Sequence, residues 1–209
     1  MRHVARIAVS FLEYIIYNLT MSTAKRYEFT FHFSHIPPVM LRGTHALIVV
    51  RDEQGKYILG SKHIYPPGIY RLVGGGIEND EDVHVGAQRE LEEELGITVP
   101  IEQLQEVAII TAHVTDADHD TVFTTHLFAT NIGDQEVHPS DDLDDIVRFS
   151  RDQMQELITR YSTLQNTVIT IDRDYTIGKA STASSPFSWK DYGTFYGKVH
   201  EIALQLTDA

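Results

Sequence analysis

Glu90, Glu93 and Glu94 stand at i, i+3 and i+4 in the run Arg89-Glu90-Leu91-Glu92-Glu93-Glu94. On a helix this spacing gathers the carboxylates within roughly 100° of arc. Hard oxygen donors grouped in this way suit Mg²⁺ or Mn²⁺, which take carboxylates together with water and phosphate oxygens. Like charges four residues apart, as in Glu90 and Glu94, weaken a helix unless a cation compensates them. Val83, Ala87, Leu91 and Leu95 recur every four residues beside the acidic face, so the helix is expected at the edge of a core with its carboxylates toward a cleft. Arg89, three residues before Glu92 and four before Glu93, is placed to pair with a carboxylate and fix its orientation. A glutamate-rich helix with one arginine is by itself only a solvated face; the residues ahead of it decide otherwise.

Gly74, Gly75 and Gly76 follow Ile69 to Val73, which reads as a strand. Three glycines permit a backbone turn that brings carbonyl or N–H groups close to a metal and to phosphates. Glu81 falls at the helix start, where the dipole favours a carboxylate, and Gly96 is suited to a left-handed C-terminal cap. Gly75, Glu81, Arg89, Glu90, Leu91, Glu93, Glu94, Gly96 and Ile97 together fill the pattern G-x5-E-x7-R-E-U-x-E-E-x-G-U, where U is a bulky aliphatic residue. This resembles the Nudix box at every specified position, and through it the chain resembles the Nudix hydrolase superfamily. Val73 stands where many relatives have proline, a change in turn rigidity that removes no chemical group.

The resemblance implies an α/β fold, the Nudix α/β/α sandwich with a mixed β-sheet, over residues 25–170. It implies hydrolysis of a nucleoside diphosphate linked to another moiety by an activated water, giving two phosphorylated products with Mg²⁺ or Mn²⁺ as cofactor. Glu90, Glu93 and Glu94 are the implied metal ligands, joined by the carbonyl of Gly75 or Gly74, with Arg89 orienting them. Glu90 is the candidate general base within the box. In some relatives the base lies in a later loop, where this chain offers Asp116, Asp118 and Asp120, or Asp141, Asp142, Asp144 and Asp145. Lys62, His63 and Arg71 lie just ahead of the box, where relatives often keep basic residues near the phosphates; Lys62, Arg71 and Asp118 are the candidate substrate contacts. His119 reads as a surface histidine. Tyr65, Tyr70, Phe123 and Phe128 are candidates to stack on a base. An ADP-ribose-like diphosphate is favoured because the chain exceeds the minimal domain, with other nucleotide sugars, dinucleotides and damaged nucleoside triphosphates left open.

Two other readings compete. A non-catalytic nucleotide-sensing Nudix domain would commonly carry a degraded box, and no DNA-binding helix-turn-helix accompanies this one. A messenger-RNA decapping hydrolase calls for a basic groove, which a formal net charge of −13 disfavours. The same charge argues against DNA or an anionic membrane as the main partner, and an acidic protein acting on an acidic substrate needs metal ions to bridge them. With no cysteine among 209 residues, disulfides, thiolate metal sites and a cysteine nucleophile are excluded. That removes the chemistry of isopentenyl diphosphate isomerases, which share the Nudix fold and rely on a catalytic cysteine. A cytoplasmic setting is expected.

The length suits one domain with an added element. Val4, Ile7, Ala8, Phe11, Leu12, Ile15, Ile16 and Leu19 predict an amphipathic helix over residues 1–24. Arg2, Arg6 and Ser22-Thr23-Ala24 imitate a signal peptide, but Glu13 interrupts the apolar run, and Met21 is a second candidate start. Strands are expected at Tyr27 to Phe33, His45 to Val50, Tyr57 to Gly60, Val107 to Val114 and Val122 to Ala129, with a turn at Asp52 to Gly55 and a loop at Tyr65 to Gly68. Asp141 to Phe149, followed by a helix from about Arg151 to Tyr161, is similar to the closing segment of many Nudix domains. Residues 171–209 form a C-terminal extension: a linker at Ala180 to Pro186, then a helix whose Tyr192, Phe195, Tyr196, Val199, Ile202, Ala203 and Leu206 make an apolar face. A homodimer through the N- or C-terminal helix is expected from those faces.

Overall fold

The computed structural model describes residues 24–139, 143–171 and 185–207. The expected N-terminal helix and the candidates Asp141 and Asp142 lie outside the described residues.

Alternating and continuous apolar runs make the main sheet. Its strands are β1 (Lys25–His32), β2 (Thr44–Arg51), β3 (Tyr57–Ser61), β4 (Arg71–Leu72), β5 (Gln105–Thr115), β6 (Asp120–Asn131) and β7 (Asp145–Phe149). The order is β1-β5-β6-β2-β3-β4, with β7 also pairing β3. β1 runs parallel to β5 and β2 parallel to β6, whereas the β5/β6, β2/β3, β3/β4 and β3/β7 pairs are antiparallel, so the sheet is mixed. β2 is buried from His45 to Val50, as expected of a strand covered on both faces. Ala46, Ile48 and Val50 face helix α1 (Val83–Leu95), meeting Ala87, Leu91 and Leu95. Leu47 and Val49 face the opposite layer, made by α2 (Arg151–Ser162) and α3 (Trp189–Thr207). The result is an α/β/α sandwich.

The expected strand over Ile69 to Val73 is shorter than its sequence suggested. Regular pairing with β3 is limited to Leu59↔Leu72 and Gly60↔Arg71, because the chain then crosses to β2 through single bridges at Ile48↔Val73 and His45↔Gly76. The crossing turns at Gly74, whose φ of +128° suits only glycine and whose missing Cβ would lie 2.2 Å from the Ala46 carbonyl oxygen.

A small hairpin, β8 (Val168–Ile171) with β9 (Ser185–Ser188), precedes α3. Residues 180–184 of the expected linker lie outside the described residues, and Ser185 and Pro186 already belong to β9. α3 is a full member of the core. Phe195, Tyr196, Val199, Ile202 and Ala203 are buried against the sheet and α2, so the apolar face that suggested a dimer is covered by the chain itself. Hydrogen bonds fix the helix along its length. Asp191 accepts from Ser34 N–H at 2.8 Å and Ser34 Oγ–H at 2.6 Å, and Arg51 Nη1 donates to the Thr207 carbonyl at 2.6 Å, where the helix dipole favours a cation. Among the described residues no helix is long and apolar enough to cross a membrane.

Candidate active site

The box folds as strand, glycine turn and helix. Asp82 caps α1, its Oδ1 accepting from His84 N–H at 2.9 Å and Val85 N–H at 3.3 Å. This corrects the expectation that Glu81 serves the helix start: Glu81 stands one residue outside the cap and turns toward Arg89. Gly96 ends the helix at φ 68°, ψ 22°, with its N–H on the Glu92 carbonyl, the left-handed stop its sequence position suggested.

Arg89 is the hub of the acidic face. It binds Glu81 with both oxygens, Nε to Oε1 at 2.9 Å and Nη2 to Oε2 at 3.0 Å. Nη1 donates to Glu90 Oε1 and to Glu93 Oε2, each at 2.8 Å, and Nη2 also donates to the Gly76 carbonyl at 2.9 Å. One planar guanidinium thus orients three carboxylates and ties them to the glycine turn. Its charge is reinforced by Glu81 foremost, and Glu81's own carboxyl is held below its ordinary range by that bond.

Glu90 and Glu94 are buried, whereas Glu93 is exposed. Glu90 lies against the glycine turn so closely that a Cβ on Gly75 would sit 2.4 Å from its Oε2. Burial pushes its carboxyl up to about 7, and the neighbouring charges of Glu94 and Glu93 push the same way against the pull of Arg89. Glu94 faces a different set of groups. Its Oε2 accepts the Gly74 N–H at 2.7 Å, while Oε1 lies 3.6 Å from Lys62 Nζ and 3.8 Å from Arg71 Nη2. Arg71 is itself fixed by donating to the Gly74 carbonyl at 2.6 Å and by standing over the Tyr196 ring, 5.7 Å from its centroid. Its guanidinium stays firmly charged: burial opposes this, and Tyr65, Tyr192, Tyr196 and Glu94 outweigh it.

Lys62 and Arg71 therefore reach the box through Glu94. His63 does not; its backbone N–H and ring pair with Asp144. Asp118 is exposed on the loop before β6, and its backbone N–H donates to Asp116 Oδ1 at 2.8 Å. Asp116 organises that loop, also accepting from Ile36 N–H and from His119. Against desolvation, which would raise it, these bonds hold its carboxyl down to about 2. No described hydrogen bond or ion pair joins this loop to the box. Phe123 and Phe128 are fully buried, which corrects their reading as base-stacking residues: one faces each core layer. Tyr65 and Tyr70 stay partly exposed, Tyr65 lying 5.9 Å from the Trp189 and Tyr192 rings and Tyr70 lying 5.3 Å from Phe149.

Among the described residues no three carboxylates or imidazoles stand together as a ready-made metal cage. Glu90 and Glu93 meet through Arg89, and Glu94 turns to the glycine N–H and the two cations. The donor chemistry nevertheless fits a hard divalent ion. Arg89 takes one oxygen each from Glu90 and Glu93, which leaves the other for coordination. The Gly75 carbonyl accepts Ala46 N–H at 2.9 Å and keeps a second lone pair.

The sequence reading missed Asp82 and the links from α3 to β4. The first was legible, since an Asp directly before the apolar-periodic Val83 is a helix-start signal; the second is a long-range contact with no local signature.

The family model for the NUDIX domain matches residues 41–168, more than half of the chain. No curated protein matches it. Among solved structures the chain is similar to a MutT protein from Methanosarcina mazei Go1, with 20% identity, a TM-score of 0.42 and coverage of 54% of this chain and 80% of that one. It is similar to a C. elegans Ap4A hydrolase binary complex at 20% identity and a TM-score of 0.40, covering 54% and 84%. The NUDIX domain of Shewanella oneidensis NrtR, complexed with ADP ribose, shares 17% identity at a TM-score of 0.45, covering 54% and 75%. With the family model spanning sheet, glycine turn and helix, the chain belongs to the Nudix family of hydrolases.

Proposed function

We propose that this chain is a metal-dependent pyrophosphohydrolase that cleaves the diphosphate of a nucleoside diphosphate linked to another moiety. The observation that carries this reading is the division of charge around the glycine turn. On one side a single cation, Arg89, serves Glu81, Glu90 and Glu93, leaving an excess of negative charge for a metal to neutralise. On the other, the two cations Lys62 and Arg71 both stand beside Glu94, where a phosphate would be drawn toward the turn.

Glu90, Glu93, Glu94 and the carbonyl of Gly75 would hold Mg²⁺ or Mn²⁺, which would offset the diphosphate charge and acidify a bound water. Glu90 is the general base: it is buried beside the glycine turn and oriented by Arg89 through one oxygen, which leaves the other to receive the proton. The water oxygen bonds to phosphorus, its proton passes to Glu90, and the bridging P–O bond breaks to release two phosphorylated products. Lys62 draws a phosphate oxygen away from repulsion with Glu94, while Arg71 keeps the Gly74 carbonyl turned inward. Asp118, exposed on its loop, is the proposed contact to the rest of the substrate. A cytoplasmic setting suits the cysteine-free composition.

Incubating the protein with nucleotide sugars, dinucleotides and nucleoside triphosphates, with and without Mg²⁺ or Mn²⁺, followed by product identification by mass spectrometry, tests this reading. Two phosphorylated fragments that need the metal are the expected result. Saturable nucleotide binding with every compound recovered intact would favour a sensor instead.

A further inference from the structure

α3 lies outside residues 41–168, which match the family model, yet it reaches the catalytic turn by two routes. The Tyr196 ring backs the Arg71 guanidinium, and Arg71 holds both the Gly74 carbonyl, at 2.6 Å, and the neighbourhood of Glu94. One turn further along α3, the fully buried His200 accepts the Leu72 N–H on Nε2 at 3.2 Å while its Nδ1 donates to the Tyr196 carbonyl at 2.6 Å. Both residues of β4 are thereby held from the helix, one through its side chain and one through its backbone. This matters because β4 has only two residues in register with β3: beyond them the turn is held to β2 through the Val73 and Gly75 carbonyls, and on the β4 side it is α3 that adds the hold on Arg71 and Leu72. Tyr196 in turn packs among Tyr192, Phe195 and the His45 ring, so its position is set by the core.

We propose that α3 is a working part of the active site, with Tyr196 and His200 as positioning residues that fix β4 and, through Arg71, the Gly74 carbonyl and Glu94. The proposal rests on reading the box as the metal-binding hydrolytic site. It makes the C-terminal helix a determinant of metal affinity although no residue of it belongs to the box.

The test uses the full chain as wild type and as Tyr196→Leu, Tyr196→Phe and Ile202→Ala, with Mn²⁺ alone as the probe. Two quantities are read: amide hydrogen exchange across residues 72–77, and Mn²⁺ affinity from loss of the free-ion electron paramagnetic resonance signal. Tyr196→Leu is expected to speed exchange in that segment about five- to ten-fold and to weaken Mn²⁺ binding by about ten-fold. Tyr196→Phe, which keeps the ring, restores both values. Ile202→Ala lowers the melting temperature without moving either. Should Tyr196→Leu not fold, Arg71→Lys, which keeps the charge and loses the Nη2 bond to the Gly74 carbonyl, is expected to give the same two changes. Unchanged exchange and affinity in a folded Tyr196→Leu or Arg71→Lys, or the same changes in Ile202→Ala, overturn the proposal. A wild-type chain that takes up no Mn²⁺ overturns the reading of the box, and the proposal with it.

Discussion

Two adjacent glycines separate structure from chemistry at the residue scale. A Cβ on Gly74 would meet the Ala46 carbonyl oxygen, part of the fixed backbone of β2, at a position whose φ is +128°. Gly74→Ala is expected to cost at least about 2 kcal/mol of stability, visible as a lowered denaturation midpoint. The atoms that a Cβ on Gly75 would meet first are the far end of the Glu90 side chain, which can swing aside. Gly75→Ala is therefore expected to melt near the wild-type temperature and to lose about 10²-fold in turnover, since the candidate base is displaced; equal activity in a folded variant would remove Glu90 from that role. Glu90 also gives the metal-free protein a pH dependence. Its carboxyl is raised from 4.5 to about 7, so its contribution to stability is full below about 4.5 and is lost as pH rises through about 7. In thermal melts without metal, wild type should therefore fall relative to Glu90→Gln between those values and stay parallel above them. A constant offset across that window would contradict the raised carboxyl.

Among the elements, α3 and β4 form the joint on which the site depends, and His200 makes that joint sensitive to acid. Burial, with a smaller push from Arg71 and against the Tyr196 carbonyl, lowers its imidazole from 6.5 to about 4. The neutral ring is the one that accepts the Leu72 N–H, so its contribution is full above about 6.5 and lost as pH falls through about 4. The melting-temperature gap between wild type and His200→Leu is expected to shrink over that interval; a gap independent of pH would sink the assignment. Most elements were legible locally. The apolar stripe of α1 and its Gly96 stop, the alternation of β5 and β6, and the helix after Ser150 all follow from short-range pattern. What escaped the sequence was long-range. Nothing in Arg71 and Leu72 says that the strand will be cut short by a crossing to β2, and nothing in the face of α3 tells a core contact from a dimer contact. Phe123 and Phe128 resembled stacking residues because strand pattern does not reveal that both faces of β6 are covered.

For the whole molecule, the net charge is −13 and the proposed substrate is a polyanion, so the attraction would have to be local, at Lys62 and Arg71 beside Glu94 and in the metal that the box would hold. The candidate site was legible as residue types and offsets, since Arg89 and the three glutamates need only helical spacing to converge. How they divide was not legible: Glu94 leaves the acidic group for the glycine N–H and two cations, a choice made by residues twenty or more positions upstream. The divided box is proposed to perform metal-dependent hydrolysis of a nucleoside diphosphate derivative. The most direct measurement is the turnover of the best-cleaved panel compound with Mg²⁺ or Mn²⁺, by wild type beside Glu93→Gln and Glu94→Gln. Cleavage is expected to vanish on chelation and to fall by about 10²-fold or more in both variants while their folds persist. Cleavage that survives chelation, or folded variants that turn over as fast as wild type, would contradict it.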